Sequence, residues 1–242
     1  TCALIAIDRA LQLLVLCPEH RQGLTAIDGG AFRGSALQHL LASGLFAQIL
    51  AYEPDPESYY SLCENISQDQ RVKLSNFALG ESNTFLPFYR GDFPATNSLL
   101  PRPQNEFAPY YPVKAVHRQT LDVRVVSLDK EIEKHGLDKI NFIKLDLQGG
   151  ELAALRGTKD ALEMGAVDVI VCEVVFIRKY DNQPLYHEIA TYLAQFGYSL
   201  YAIDDLKLGD YDSNEEDLRA GQWNQADAIF LSPQIRAMLD RI

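Results

Sequence analysis

Apolar residues fall along this chain in two kinds of pattern. Short, nearly unbroken runs cover Leu24–Asp28, Ile49–Glu53, Val72–Phe77, Asn141–Asp146, Val167–Val174, Tyr198–Ile203 and Ala228–Leu231, the pattern of strands buried on both faces. Between them, Ser35–Ser43, Pro56–Ile66, Glu151–Glu163 and Leu185–Phe196 carry helical spacing. Pro56 suits a first turn, where a missing N–H costs nothing, and Gly197 suits a helix end. Leu4, Ile7, Leu11 and Leu14 also repeat helically, which predicts an amphipathic helix over residues 1–20 packed on the domain. Alternating strands and helices predict an α/β fold: one domain over residues 21–242, with a parallel sheet, helices on both faces and right-handed crossovers.

One stretch breaks the alternation. Residues 83–126 hold two strand-like segments, Thr84–Tyr89 and Leu121–Val126, around an irregular segment with five of the eleven prolines (Pro94, Pro101, Pro103, Pro109, Pro112). Insertions of this length inside a compact domain are usually functional, and the aromatic residues Phe93, Phe107, Tyr110 and Tyr111 argue for order. A hairpin plus a lid over a ligand crevice is expected. The acidic run Asn214-Glu215-Glu216-Asp217 reads as a solvated loop.

Composition narrows the partners. With 242 residues, 47% of them hydrophobic, the chain can bury one sizeable core. A formal net charge of −11 without any basic run argues against binding to a phosphodiester backbone and favours a small molecule or a neutral glycan, a local basic pocket aside. Cys2, Cys17, Cys63 and Cys172 lack metal or disulfide spacing; Cys63 and Cys172 lie in apolar segments as buried thiols. No two histidines stand at ligand spacing, so no metal is expected. Asp8, Arg9 and Gln12 interrupt the apolar N-terminal stretch short of the roughly 18 residues a membrane span needs, and no basic leader precedes it. A cytoplasmic protein, not held in a membrane, is the expectation. The apolar N-terminal helix would serve a homodimer as readily as a monomer.

Chemistry concentrates where the apolar runs end. The first runs into Asp28-Gly29-Gly30-Ala31-Phe32-Arg33-Gly34-Ser35 and the next into Glu53-Pro54-Asp55. A strand, a glycine turn and a helix let backbone N–H groups approach a ligand, and an acidic residue ending the next strand accepts hydrogen bonds from a ribose. Gly29-x-Ala31-x-x-Gly34 approximates the dinucleotide fingerprint but has alanine where the backbone would meet a pyrophosphate. S-adenosylmethionine (SAM) has no phosphate; Glu53 would hold its adenosine and Asp28 would orient its ammonium. A third strand end, Lys144-Leu145-Asp146-Leu147-Gln148-Gly149-Gly150-Glu151, brings Asp146 to the same crevice. Expected cofactor residues are Asp28, Gly29, Gly30, Ala31, Gly34, Ser35, Glu53, Pro54, Asn76, Ala78, Asp146 and Gln148.

These blocks resemble the FkbM family of SAM-dependent methyltransferases. The resemblance rests on Asp28–Gly34, Glu53-Pro54-Asp55-Pro56, Ala78-Leu79-Gly80, Leu128-Asp129, Lys144–Glu151 and Cys172-Glu173, and spans about residues 24–231. Gln148 stands where Glu is more usual, and Phe32 where Asn is common. The resemblance implies a class I, Rossmann-like, seven-stranded sheet with its last strand antiparallel. It also implies O-methylation of a hydroxyl on a sugar, polyketide or similar metabolite, with Asn97-Ser98-Leu99 approaching methionine or substrate. An alcohol acceptor benefits from a general base, for which Asp146, Glu173 and His187 are the candidates. N- or C-directed methylation on the same fold, a non-catalytic SAM-binding module and a nicotinamide enzyme are the alternatives. Intact Asp28, Glu53 and Asp146 speak against the inert module, and Ala31 against nicotinamide.

Overall fold

The computed structural model describes residues 4–17, 23–66, 69–103, 117–208 and 223–241. Seven strands form the main sheet in the order β3-β2-β1-β7-β8-β10-β9. They are β1 (Leu24–Gly29), β2 (Phe46–Tyr52), β3 (Val72–Ser75), β7 (Ile140–Leu145), β8 (Val167–Val175), β9 (Ser199–Leu208) and β10 (Trp223–Leu231). Pairing is parallel from β3 through β8, and β10 runs antiparallel to both β8 and β9. The topology turns back at β1 and β7, whose carboxyl ends therefore open a crevice.

Successive residues of the central strands go to opposite cores, as an extended chain requires. Ala26, Ile49, Phe142 and Val169 pack with α1 (Leu4–Leu16), α2 (Ser35–Ala42), α3 (Pro56–Ile66) and α8 (Pro233–Leu239). Ile27, Leu50, Ile143 and Ile170 face α4 (Leu128–His135), α5 (Glu151–Arg156), α6 (Lys159–Glu163) and α7 (Tyr186–Ala194). The N-terminal helix does lie on the domain: it buries Ala6, Ile7, Ala10 and Leu14, and Arg9 grips Asp204 of β9 through two hydrogen bonds of 2.8 and 3.0 Å. Among the described residues no helix is long and apolar enough to cross a membrane.

The insertion contributes a second sheet of order β4-β6-β5, from β4 (Ala78–Leu79), β5 (Thr84–Gly91) and β6 (His117–Val126). The expected hairpin is thus present, longer than its alternating core. Residues 104–116, which carry Phe107, Pro109, Tyr110, Tyr111 and Pro112, lie outside the described residues, as does the acidic run at 214–217.

Four expectations need correction. The strand expected over Val72–Phe77 ends at Ser75, because Asn76 turns its amide back on Glu53 and Pro54, and the chain then joins the second sheet at Ala78. The helix expected over Glu151–Glu163 is broken at Gly157, which packs so closely on Gly80 that a Cβ there would stand 2.0 Å from its carbonyl oxygen. Both strands at the far edge extend beyond their apolar runs. Cys63 is half-buried, whereas Cys172 is fully buried.

Candidate active site

The glycine turn after β1 is built around close backbone contacts. A Cβ on Gly30 would lie 2.0 Å from the Asp146 carbonyl oxygen, and Gly30 has φ +74°, so only glycine fits. Gly30 and Ala31 both donate their N–H to Tyr52 O at 3.0 Å, which draws the turn towards the end of β2. There Glu53 accepts from Phe32 N through Oε2 and from Asp55 N through Oε1, each at 2.8 Å. Burial raises this carboxyl from 4.5 to about 7, against those two N–H groups, which favour the charged form. Phe32, which supplies one of them, is held at φ +49°, strain of a kind found at functional sites.

Beneath the turn lies an ion pair that the strand pattern hides. Asp28 is fully buried, and neither oxygen has a hydrogen-bond partner; its compensation is Lys144 Nζ, 3.1 Å from Oδ1. The same ammonium donates to Gly29 O at 3.3 Å and Gly30 O at 2.8 Å, pinning the turn to β7. Asp28 and nearby Asp146 keep the lysine charged despite its burial. After β7, Glu151 folds back to accept from Leu147 N and Gly149 N, and so holds the Leu147–Gly150 loop.

That loop presents Gln148 at φ +52°. Its Nε2 donates to Asp146 Oδ1 at 2.9 Å and to Glu173 Oε2 at 3.0 Å, while its Oε1 accepts from the Tyr180 hydroxyl at 3.1 Å. Gln225 Nε2 on β10 donates to the other Glu173 oxygen at 3.0 Å. Glu173, at the end of β8, is thus clasped between two amides. Burial, with Asp146 and Glu151 close by, pushes its carboxyl well above the usual range; Lys179 pulls the other way.

The insertion roofs these strand ends. Ser98 donates its hydroxyl to Gln148 O at 2.7 Å, and Asn97 donates to Asp55 Oδ2 at 3.0 Å, where Arg90 also binds at 2.7 Å. Asp55 meanwhile accepts from Glu57 N and Ser58 N at the start of α3. A cavity of about 550 Å³ lies beneath, within the range of small-molecule sites.

Of the expected site residues, Gly30, Ala31, Ser35, Glu53, Pro54, Ala78, Asp146, Gln148 and Glu173 line this cavity. Five do not. Asp28 is sealed behind Lys144; Gly29 packs between Leu79 and Leu145; Gly34 packs on Leu62 and precedes α2. Asn76 spends its amide on the Glu53-Pro54 corner. His187 is exposed on α7, away from the cavity wall, because its helix meets the sheet through Ile189 and Leu193. His117 stacks on Tyr89 at 4.9 Å. Arg178 donates to Gln183 O and to Glu188. Sequence reasoning missed Lys144 and Lys207 as cavity residues; only Lys144 carried a signal, a cation inside an apolar run.

A nucleoside joined to an amino acid fits this arrangement: a carboxylate at the end of β2, a glycine turn beside it, and Asp146 farther along. Comparison with known proteins bears on which. Residues 28–200 match the family model described as the methyltransferase FkbM domain. The chain is 28% identical over 142 residues to 2-O-methyltransferase NoeI of Sinorhizobium fredii, covering 56% of this chain and 58% of the relative. It is 27% identical over 156 residues to methyltransferase sdnD of Sordaria araneosa, covering 55% and 60%. The chain therefore spans somewhat over half the length of these curated relatives. Its fold is similar to the crystal structure of methyltransferase FkbM from Methylobacillus flagellatus, with TM-score 0.53 and 17% identity, over 86% of this chain and 43% of that one.

Proposed function

The chain belongs to the FkbM methyltransferase family, and from that premise we propose that it methylates a hydroxyl of a small-molecule or glycan acceptor, with SAM as donor and Glu173 as base. The observation that carries this reading is the Glu173 carboxylate, on the cavity wall between the Gln148 and Gln225 amides. SAM supplies an electrophilic methyl group on a sulfonium that leaves as a neutral thioether. The residues of the chain do the rest. Glu53 accepts ribose hydroxyls, since its two backbone donors leave lone pairs on both oxygens. Gly30 and Asp146, which line the cavity, would hold the methionine end, Asp146 through the methionine ammonium. Glu173 takes the acceptor proton as the new C–O bond forms, and burial, with Asp146 and Glu151 close by, strengthens its hold on that proton. Positioning two reactants in line accounts for most of the acceleration such a displacement needs.

Calorimetric titration with S-adenosylhomocysteine (SAH) tests the cofactor half. Binding is expected, and loss of binding in Glu53→Ala and Asp146→Ala; a folded wild-type chain that ignores SAH refutes the reading. For the chemistry, label transfer from SAM to a panel of mono- and oligosaccharides should fall by about 10²–10⁴ in Glu173→Gln. Full turnover in that variant removes Glu173 as the base.

A further inference from the structure

Once the cofactor residues are set aside, the remaining wall of the cavity has two faces. Phe88, Pro94, Ala95, Thr96, Asn97 and Leu99 of the insertion make one, and it is mostly apolar. The other, from the far half of the sheet, carries Glu173, Lys179, Lys207, Asn224 and Gln225. Two lysines at one end of a cavity are unexpected in a chain of net charge −11, where the overall field repels anions.

Both lysines are delivered there by specific local structure. Lys179 follows β8 in a loop clasped by the buried Gln183, whose Oε1 accepts from Lys179 N at 2.7 Å and Tyr180 N at 3.3 Å. The neighbouring Arg178 is sent outward to Glu188. Lys207 stands opposite Gln225 in the β9–β10 ladder, and Gln225 stands opposite Val175 of β8. The ladder slips on both sides of Gln225, towards Trp223 and towards Asp227. Such bulges re-aim side chains and gather beside active sites.

We propose that the acceptor carries an anionic group, carboxylate or phosphate, which Lys179 and Lys207 bind while its hydroxyl meets Glu173 and its less polar face lies against Pro94, Ala95 and Leu99. This rests on the methyltransferase reading above and adds a charge requirement to it. A sugar acid or sugar phosphate has this combination of an anion, hydroxyl edges and a C–H face.

Matched ligands test it on SAH-saturated protein by ligand-observed NMR: methyl glucuronide against methyl glucoside, and glucose 6-phosphate against glucose. The anionic member of at least one pair should bind tenfold or more tightly than its neutral twin, and whichever pair responds tells carboxylate from phosphate. The preference should shrink as salt rises, disappear in Lys179→Met and Lys207→Met, and survive in Lys207→Arg. Equal binding within both pairs, or no binding by any of the four while SAH binds, overturns the proposal. So does a preference that persists in both Met variants. If those variants instead lose SAH, the lysines serve the cofactor carboxylate and the proposal also fails. A wild-type chain that does not bind SAH at all points to failure of the methyltransferase reading itself.

Discussion

Replacing Glu53 by Gln tests whether the carboxyl at the end of β2 is under strain without a ligand. Its titration moves from 4.5 to about 7 because burial penalises the charged form more than two backbone N–H groups repay. A raised carboxyl contributes its stability in full below the unfolded value and loses it as pH climbs through the folded one. The gap corresponds to about 3 kcal/mol, of which about 2 kcal/mol is lost between about pH 5.5 and about pH 8.5. Glu53→Gln cannot ionise. Its amide turns an N–H towards one backbone donor and forfeits a hydrogen bond worth about 1 kcal/mol, equally at both pH values. Urea unfolding followed by circular dichroism should show the wild type weakening by about 2 kcal/mol relative to Glu53→Gln over that range. Glu151, also raised to about 7, is common to both proteins and cancels. Parallel pH profiles for the two proteins would refute the reasoning. The same linkage extends to the ligand: ribose hydroxyls favour the ionised carboxylate, so SAH binding near pH 6 should release a proton, readable as heats that depend on buffer ionisation.

Three other outcomes follow from the packing. Gly30→Ala brings a Cβ to 2.0 Å from Asp146 O at φ +74°, and should cost at least about 2 kcal/mol in urea and abolish SAH binding; a stable variant that binds would sink the cradle. Lys144→Met leaves buried Asp28 uncompensated and should cost about 3–5 kcal/mol, part of which Asp28→Asn in the same chain restores; additive losses would show that the two do not pair. Asp129 accepts from Asp160 N at 3.0 Å and Ala161 N at 3.1 Å, capping α6, so Asp129→Ala should cost about 1 kcal/mol without changing SAH affinity.

The sheet was legible where burial on both faces left only apolar residues, as in β1, β2, β7 and β8. Lys144 is instructive: a cation inside such a run signals a buried counter-charge, and Asp28 on the neighbouring strand is that partner. The polar halves of β9 and β10 escaped because bulges there break the period of two, and Lys207 escaped with them. Asn76 and His187 were placed by proximity to strand ends. Their side-chain directions depend on a turn and on helix rotation, which periodicity of this length does not fix. Leu128-Asp129 and Gly80 turn out to be joinery, while Ala78 and Leu79 before Gly80 line the cavity: Gly80 N bonds Val126 O, Asp129 N bonds Gly157 O, and Gly157 packs on Gly80.

The roof over the cavity is fastened by side chains, Asn97 to Asp55, Ser98 to Gln148 and the Tyr180 hydroxyl to Thr96 O, and Pro94–Thr96 pairs with no strand of the main sheet. Heredity can therefore treat Pro94–Thr96 as a replaceable panel. Exchanging it between relatives that keep these fasteners, in chimeras cut before Pro94 and after Thr96, tests whether the panel alone carries acceptor preference.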